Sequence, residues 1–82
     1  MRVEYDPASD TLYIELSDSL VEYTEDVSPG RQYDRGIDYA ADGTPVGVEF
    51  LNASRGVDLT GIPRSDEIAG ALERVRGIRV LV

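Results

Sequence analysis

The chain has 82 residues and contains no cysteine, no histidine and no lysine. Without cysteine, neither a disulfide nor a thiolate metal site can reinforce the fold. The most common general base, thiol nucleophile and amine nucleophile are missing as well. Any catalysis would have to rely on Asp, Glu, Tyr, Ser and Arg. The composition therefore favours a non-enzymatic protein, with no catalytic residue, no metal and no cofactor expected.

Basic residues are scarce: eight arginines stand against 16 acidic residues, for a net charge of −8. Such a surface repels nucleic-acid phosphates and anionic membranes, so we expect neither as a partner. The charge favours a basic protein partner instead. No apolar run reaches the roughly 18 residues of a membrane span, and no signal peptide precedes the first predicted strand. The expected compartment is the cytoplasm.

Alternation of apolar and polar residues is clearest between Tyr5 and Leu16. Pro7 in the turn and the alternation after it predict a β-hairpin with two different faces. One is apolar and packs on the core (the dry face), and the other is polar and faces solvent (the wet face). The dry face carries Leu12, Ile14 and Leu16, and the wet face carries Thr11, Tyr13 and Glu15.

The same pattern predicts five antiparallel strands. They cover residues 2–5, 11–16, 20 or 21 to 28, 37–39 and 45–51. Glu25 interrupts the apolar face of the third strand, which predicts a bulge or an edge position. The polar stretch Arg31–Arg35 is either a loop or the frayed start of the fourth strand, and the turn at Asp42-Gly43 predicts a tight hairpin.

The spacing of the apolar residues changes near residue 64, from every second position to every third or fourth. Ser65 is a predicted helix N-cap, and Gly77 is a natural stop. Between them Ile68, Leu72 and Val75 form one apolar stripe. The stripe needs a surface, and the dry face of the sheet is the obvious one.

The residues Ile78–Val82 are β-branched and apolar, which predicts a sixth strand that pairs with a sheet edge or with a second copy of the chain. The predicted architecture is a single α+β domain over residues 1–82. It consists of an antiparallel β-meander of about five strands (3–54), one C-terminal helix on one face (64–77) and a short final strand (78–82).

Three stretches carry a family resemblance: YDPASDTLYIEL (5–16), EDVSPG (25–30) and IDYAADGTPVGVEFLNAS (37–54). In order and spacing they resemble the bacterial and archaeal domain-of-unknown-function family numbered 2283, whose members have patterns such as YDxxxDxLYIxL and DYDxxGxxVGIEILxAS. The resemblance covers about Val3–Ser54. Ala40 stands where the family often has Asp, which weakens the idea of a metal site there, and the Arg31–Arg35 loop is longer than usual.

The resemblance implies a small meander of strands with no assigned activity. Some members lie beside small toxin-like proteins, which implies antitoxin-like pairing for those members. From this and the charge we predict an interaction module that binds a basic partner through the wet face of the sheet. The predicted contacts are Tyr13, Glu15 and Glu49.

Two alternatives stay open. In the first, carboxylates such as Glu15 and Glu49 form a small hydrolase or a ligand-binding or metal-binding site. The aspartates at positions 6, 10, 38 and 42 carry oxygen ligands of the kind that hold Ca²⁺ or Mg²⁺, but Asp in turns usually bonds its own backbone. In the second, the chain is a structural homodimer joined through Ile78–Val82.

Overall fold

A five-stranded antiparallel sheet is the centre of the fold in the computed structural model, which describes residues 1–81. Its strands are β1 (Arg2–Asp6), β2 (Thr11–Glu15), β3 (Tyr23–Asp26), β4 (Arg35–Tyr39) and β5 (Pro45–Leu51). They are followed by a 3-10 turn (Ala53–Arg55), β6 (Val57–Asp58), the helix α1 (Ser65–Leu72) and β7 (Val80–Leu81). The predicted α+β class, with a helix near the C-terminus and a short final strand, is confirmed.

The strand order is β1-β2-β5-β4-β3. The chain forms one hairpin from β1 and β2 and a three-strand meander from β3, β4 and β5. These two units join through β2 and β5, so the order departs from a simple meander between β2 and β3. As a result β2 and β5 lie side by side, and Tyr13 is directly opposite Glu49.

The core lies between one face of the sheet and α1. It contains eleven buried side chains: Leu12, Ile14, Ile37, Val48, Phe50, Ala53, Val57, Leu59, Ile62, Ile68 and Leu72. The predicted dry face is confirmed for Leu12 and Ile14, which are fully buried, while Leu16 is partly buried. Full burial of one such aliphatic side chain contributes about 1.5–3 kcal/mol.

The helix bounds differ from the prediction. Ser65 is the first helical residue, and the N-cap is Arg64, which has a left-handed φ of 55°. The Arg64 guanidinium donates to the Glu67 carboxylate (2.7 Å) and to the Leu16 carbonyl (3.1 Å), which fastens the start of α1 to the end of β2. The helix ends at Leu72, and the chain then runs in turns to Gly77, so the predicted end was too late.

No helix among residues 1–81 has both the length and the apolar character needed to span a bilayer.

The C-terminal residues pair with another segment of the same chain. Strand β7 pairs in parallel with β6, with Val57 opposite Val80. Ile78 and Val80 are partly buried and pack against the core. This pairing accounts for the apolar character of the segment without a second copy, and the dimer through Ile78–Val82 stays a prediction. Val82 lies outside the described residues.

Candidate functional site: the open face of the sheet

The open face is the side of the five-stranded sheet opposite to α1. The pairing register places six carboxylates on it, from all five strands: Glu4, Asp6, Glu15, Asp26, Asp38 and Glu49. Among the described strand residues one basic side chain shares this face, Arg2, and it pairs with Glu4. The open face is therefore strongly negative.

Tyr13 lies across the backbone of Gly47 on the neighbouring strand. A Cβ at Gly47 would be only 1.9 Å from the Tyr13 hydroxyl oxygen, so the ring occupies the space that a side chain on β5 would fill. The alternation of β2 predicts an exposed Tyr13 on this face. It is half-buried instead, because the missing side chain of Gly47 lets the ring lie down on the sheet.

Asp38 holds the tyrosine in this position. The Tyr13 hydroxyl donates to Asp38 Oδ2 (2.8 Å), and the Thr24 hydroxyl donates to Asp38 Oδ1 (2.6 Å). The network connects β2, β4 and β3 above the Gly47 backbone. Burial and the hydrogen bond to the Asp38 carboxylate raise the pKa of Tyr13, so the phenol stays protonated and acts as a donor.

The other two predicted contacts, Glu15 and Glu49, lie on the same face as Tyr13, as the alternation predicted. Both are partly buried. Within residues 1–81 neither carboxylate has a hydrogen-bond or ion-pair partner. Both groups are therefore free to accept donors from a binding partner.

Tyr33 adds a second aromatic ring to the open face. A Cβ at Gly36 would be 2.0 Å from the Tyr33 hydroxyl oxygen, so this ring covers Gly36 as Tyr13 covers Gly47. Burial and the negative charges of Glu49 and Asp38 raise the pKa of Tyr33. Tyr13 and Tyr33 are two of the five tyrosines in the chain. The other three serve the fold: Tyr23 stacks on Tyr39 with ring centroids 5.1 Å apart, and Tyr5 donates to Asp10.

The aspartates that sequence analysis weighed as metal ligands divide into two groups. Asp6 and Asp42 accept hydrogen bonds from the backbone two residues ahead, as expected for turns. Asp38 belongs to the network with Tyr13, and Asp10 bonds residues distant in sequence. Within residues 1–81 no three acidic side chains come together closely enough to hold a metal ion.

Asp10 joins the first turn to the segment that follows β5. Its carboxylate accepts hydrogen bonds from the Tyr5 hydroxyl (2.7 Å), the Ser54 hydroxyl (2.6 Å) and the Ser54 amide (2.8 Å). Its own carbonyl accepts from the Ala53 amide. As a polar segment that leaves a strand, residues 52–55 have the composition of a plain turn. The structure gives Ser54 a specific partner 44 residues away, so this pair closes the sheet at one end.

We expect the stabilising effect of Ser54 to depend on pH. The hydrogen bonds from Ser54 and Tyr5 lower the pKa of Asp10. A carboxyl whose folded pKa is lowered stabilises the fold fully above its unfolded pKa of about 3.9, and this stabilisation is lost as the pH falls through the folded pKa. Ser54→Ala should therefore destabilise the protein more at neutral pH than in strongly acidic solution, where Asp10 is protonated in both the folded and the unfolded state. Urea unfolding across this range measures the difference.

The matched control for this prediction is the same substitution in an Asp10→Asn background. There the cost of Ser54→Ala should be the same at every pH, since the titrating carboxylate is gone. An equal pH dependence in both backgrounds would assign the effect to another group.

The chain matches a protein-family model over most of its length. A family model described as "Protein of unknown function (DUF2283)" covers residues 2–54, which is more than half of the chain. This segment contains all five strands of the sheet, and it ends at Ser54, the partner of Asp10. Comparison with curated proteins and with solved structures gives no match. The matched segment thus supplies the whole open face, while α1 and the β6–β7 pair lie beyond it.

Proposed function

We propose that this chain, which belongs to the DUF2283 family of proteins of unknown function, binds a basic protein partner through the open face of its sheet. The observation that carries the proposal is the distribution of charge on that face. Six carboxylates and one arginine occupy it, and the arginine is already paired. Complementary potentials of this kind steer association and select partners by charge.

The centre of the face has the features of a binding anchor. Tyr13 is fixed by its position over Gly47 and by its hydrogen bond to Asp38, so little side-chain entropy is lost when a partner packs on it. Tyrosine and arginine are both enriched among the residues that dominate binding energy. Glu15 and Glu49 flank the ring and offer charge-assisted hydrogen bonds to arginine or lysine side chains.

The family resemblance adds the kind of partner. Antitoxin-like pairing with a small basic protein fits both the neighbours of some family members and the charge of the open face. In this role the protein would act by binding alone, without catalysing a reaction. Its carboxylates would cover basic side chains that the partner needs for its own activity.

The test is affinity capture from native cells, followed by binding kinetics with the partner that is captured. The association rate should fall by about tenfold or more when NaCl is raised from about 50 to about 300 mM, because salt screens the steering field. The double variant Glu15→Gln/Glu49→Gln should lose much of that salt dependence and weaken binding.

The matched control is Asp66→Asn/Glu73→Gln, which also removes two negative charges. These two residues are exposed at the two ends of α1, on the other side of the sheet. A salt-independent association rate, or equal effects of the two double variants, would contradict the proposal.

A further inference from the structure

The outer edge of β3 is the second surface where a partner can bind. β3 is the last strand of the sheet, and all four of its residues are exposed. Three large apolar side chains are exposed in or just before it: Leu20 (90%), Val21 (49%) and Tyr23 (47%). They account for half of the exposed large apolar side chains among residues 1–81; the other three are Met1, Tyr33 and Leu81.

The hydrogen-bond pattern leaves backbone groups free along this edge. The Val27 amide donates to the Arg35 carbonyl (3.1 Å). In an antiparallel pair, bonded residues recur at every second position, so Glu25 and Tyr23 also direct their backbone groups towards β4. The N–H and C=O groups of Thr24 and Asp26 consequently point outward. These are the groups to which an added strand would bond.

The charges along the edge decide what kind of strand can be added. If a second copy paired antiparallel around Thr24, Glu22 would lie opposite Asp26 of that copy, and like charges directly opposite each other are destabilising. Glu25 lies on the same side of the sheet as the apolar core, and an inward-pointing charge on an edge strand disfavours pairing with purely apolar strands. A segment with arginine or lysine side chains meets neither obstacle.

We propose that the β3 edge accepts an extended basic segment of the partner as a sixth strand of the sheet. Backbone hydrogen bonds to Thr24 and Asp26 supply the pairing. On one side, basic side chains of the segment lie beside Asp26 and the open face. On the other, an apolar side chain covers Tyr23, and a basic one reaches Glu25. This inference rests on the proposed function in one respect, namely that the partner is basic.

The probe is a fluorescein-labelled peptide of alternating arginine and valine, about seven residues long, with binding measured by fluorescence anisotropy. Its matched control has the same sequence with every backbone nitrogen methylated, which keeps the charge and removes the N–H donors. We expect the methylated peptide to bind about tenfold more weakly or worse. Equal binding of the two peptides, or no binding at about 1 mM, would overturn the strand-addition proposal.

Variants of the protein locate the site. Thr24→Pro removes the outward N–H and should weaken binding of the unmethylated peptide by about tenfold. Thr24→Val is its control, because it also loses the hydroxyl bond to Asp38 but keeps the N–H. Circular dichroism verifies that both variants fold. Glu25→Lys, at an exposed position, provides a second test. It should weaken binding of the arginine–valine peptide and strengthen binding of a glutamate–valine peptide.

The same peptide separates this inference from the proposed function. If Glu15→Gln/Glu49→Gln weakens binding while Thr24→Pro and Glu25→Lys do not, the open face binds basic chains and the edge proposal is wrong. If the edge variants and backbone methylation weaken binding while the Glu15/Glu49 variant does not, the edge is the binding site and the open-face proposal is wrong.

Discussion

Replacing Arg35 by alanine should lower the free energy of unfolding by about 3 kcal/mol or more. The side chain is buried, with 8% of its surface exposed. Its Nε donates to the Val27 carbonyl and its Nη1 donates to the Asp58 carbonyl, both at 2.7 Å. Alanine would leave both carbonyls without a donor and would open a cavity beside Phe50, the residue directly opposite on β5.

The position of Arg35 explains why one residue has so large an effect. Val27 follows the edge strand β3, and Asp58 belongs to β6, so the guanidinium joins the edge of the main sheet to the small β6–β7 pair. The Asp58 carboxylate is 3.9 Å away and supplies part of the balancing charge. Breaking such a buried set of contacts removes packing and hydrogen bonds at the same time.

Two variants serve as references in urea unfolding. Arg35→Met keeps most of the apolar stem but has no donors, so it should be less destabilising than alanine and measures the loss of the hydrogen bonds. Arg76→Ala, at an exposed position, should change the free energy of unfolding by no more than about 0.5 kcal/mol. Equal values for Arg35→Ala and Arg76→Ala would show that the buried contacts contribute nothing to stability.

The faces of the sheet could be predicted from the sequence. Alternation is a local property, because successive side chains of a strand point to opposite sides. It placed Ile14 in the core and Glu15 outside. The helical spacing placed both Ile68 and Leu72 in the core. These positions needed no knowledge of which strands are neighbours.

The strand order and the role of Arg35 could not be found in that way. Alternation gives the face of a residue but not the strand beside it, so the placement of β5 between β2 and β4 was missed. The polarity of Arg31–Arg35 left two predictions open for Arg35, a loop or the frayed start of the fourth strand, and the structure makes it the first residue of β4. One signal was present: Arg35, Ile37 and Tyr39 share the same parity along the chain, which places the arginine on the dry face if the strand begins two residues earlier.

In the candidate site, too, the face of each residue could be predicted from the sequence, but its cross-strand neighbours could not. Tyr13, Glu15 and Glu49 were placed on one face by alternation alone. The hydrogen bond from Tyr13 to Asp38 and the role of Gly47 were not predicted, because both depend on which residues are cross-strand neighbours. A glycine inside a strand often marks a close approach of another group, and this was the available signal at Gly47.

Gly47→Ala should displace Tyr13 and lower the free energy of unfolding by about 1–3 kcal/mol. The new Cβ would be 1.9 Å from the Tyr13 hydroxyl oxygen, a distance that no relaxed structure keeps. The ring must move off the sheet, and the hydrogen bond to Asp38 is then lost. Since burial and that bond raise the pKa of Tyr13, the pKa should move back towards the ordinary value of about 10, which carbon NMR of the phenol measures.

Two comparisons make this result specific. Gly70→Ala lies in α1, where an added Cβ meets nothing within 4 Å, and it should raise stability by about 0.5–1 kcal/mol. In a Tyr13→Ala background, Gly47→Ala should cost far less than it does in the native chain, because the atom it would strike is gone. If the cost is the same in both backgrounds, the strain lies in the β5 backbone and Tyr13 is not positioned by Gly47. If the cost disappears and partner binding falls with the displaced ring, Gly47 positions the tyrosine at the centre of the open face.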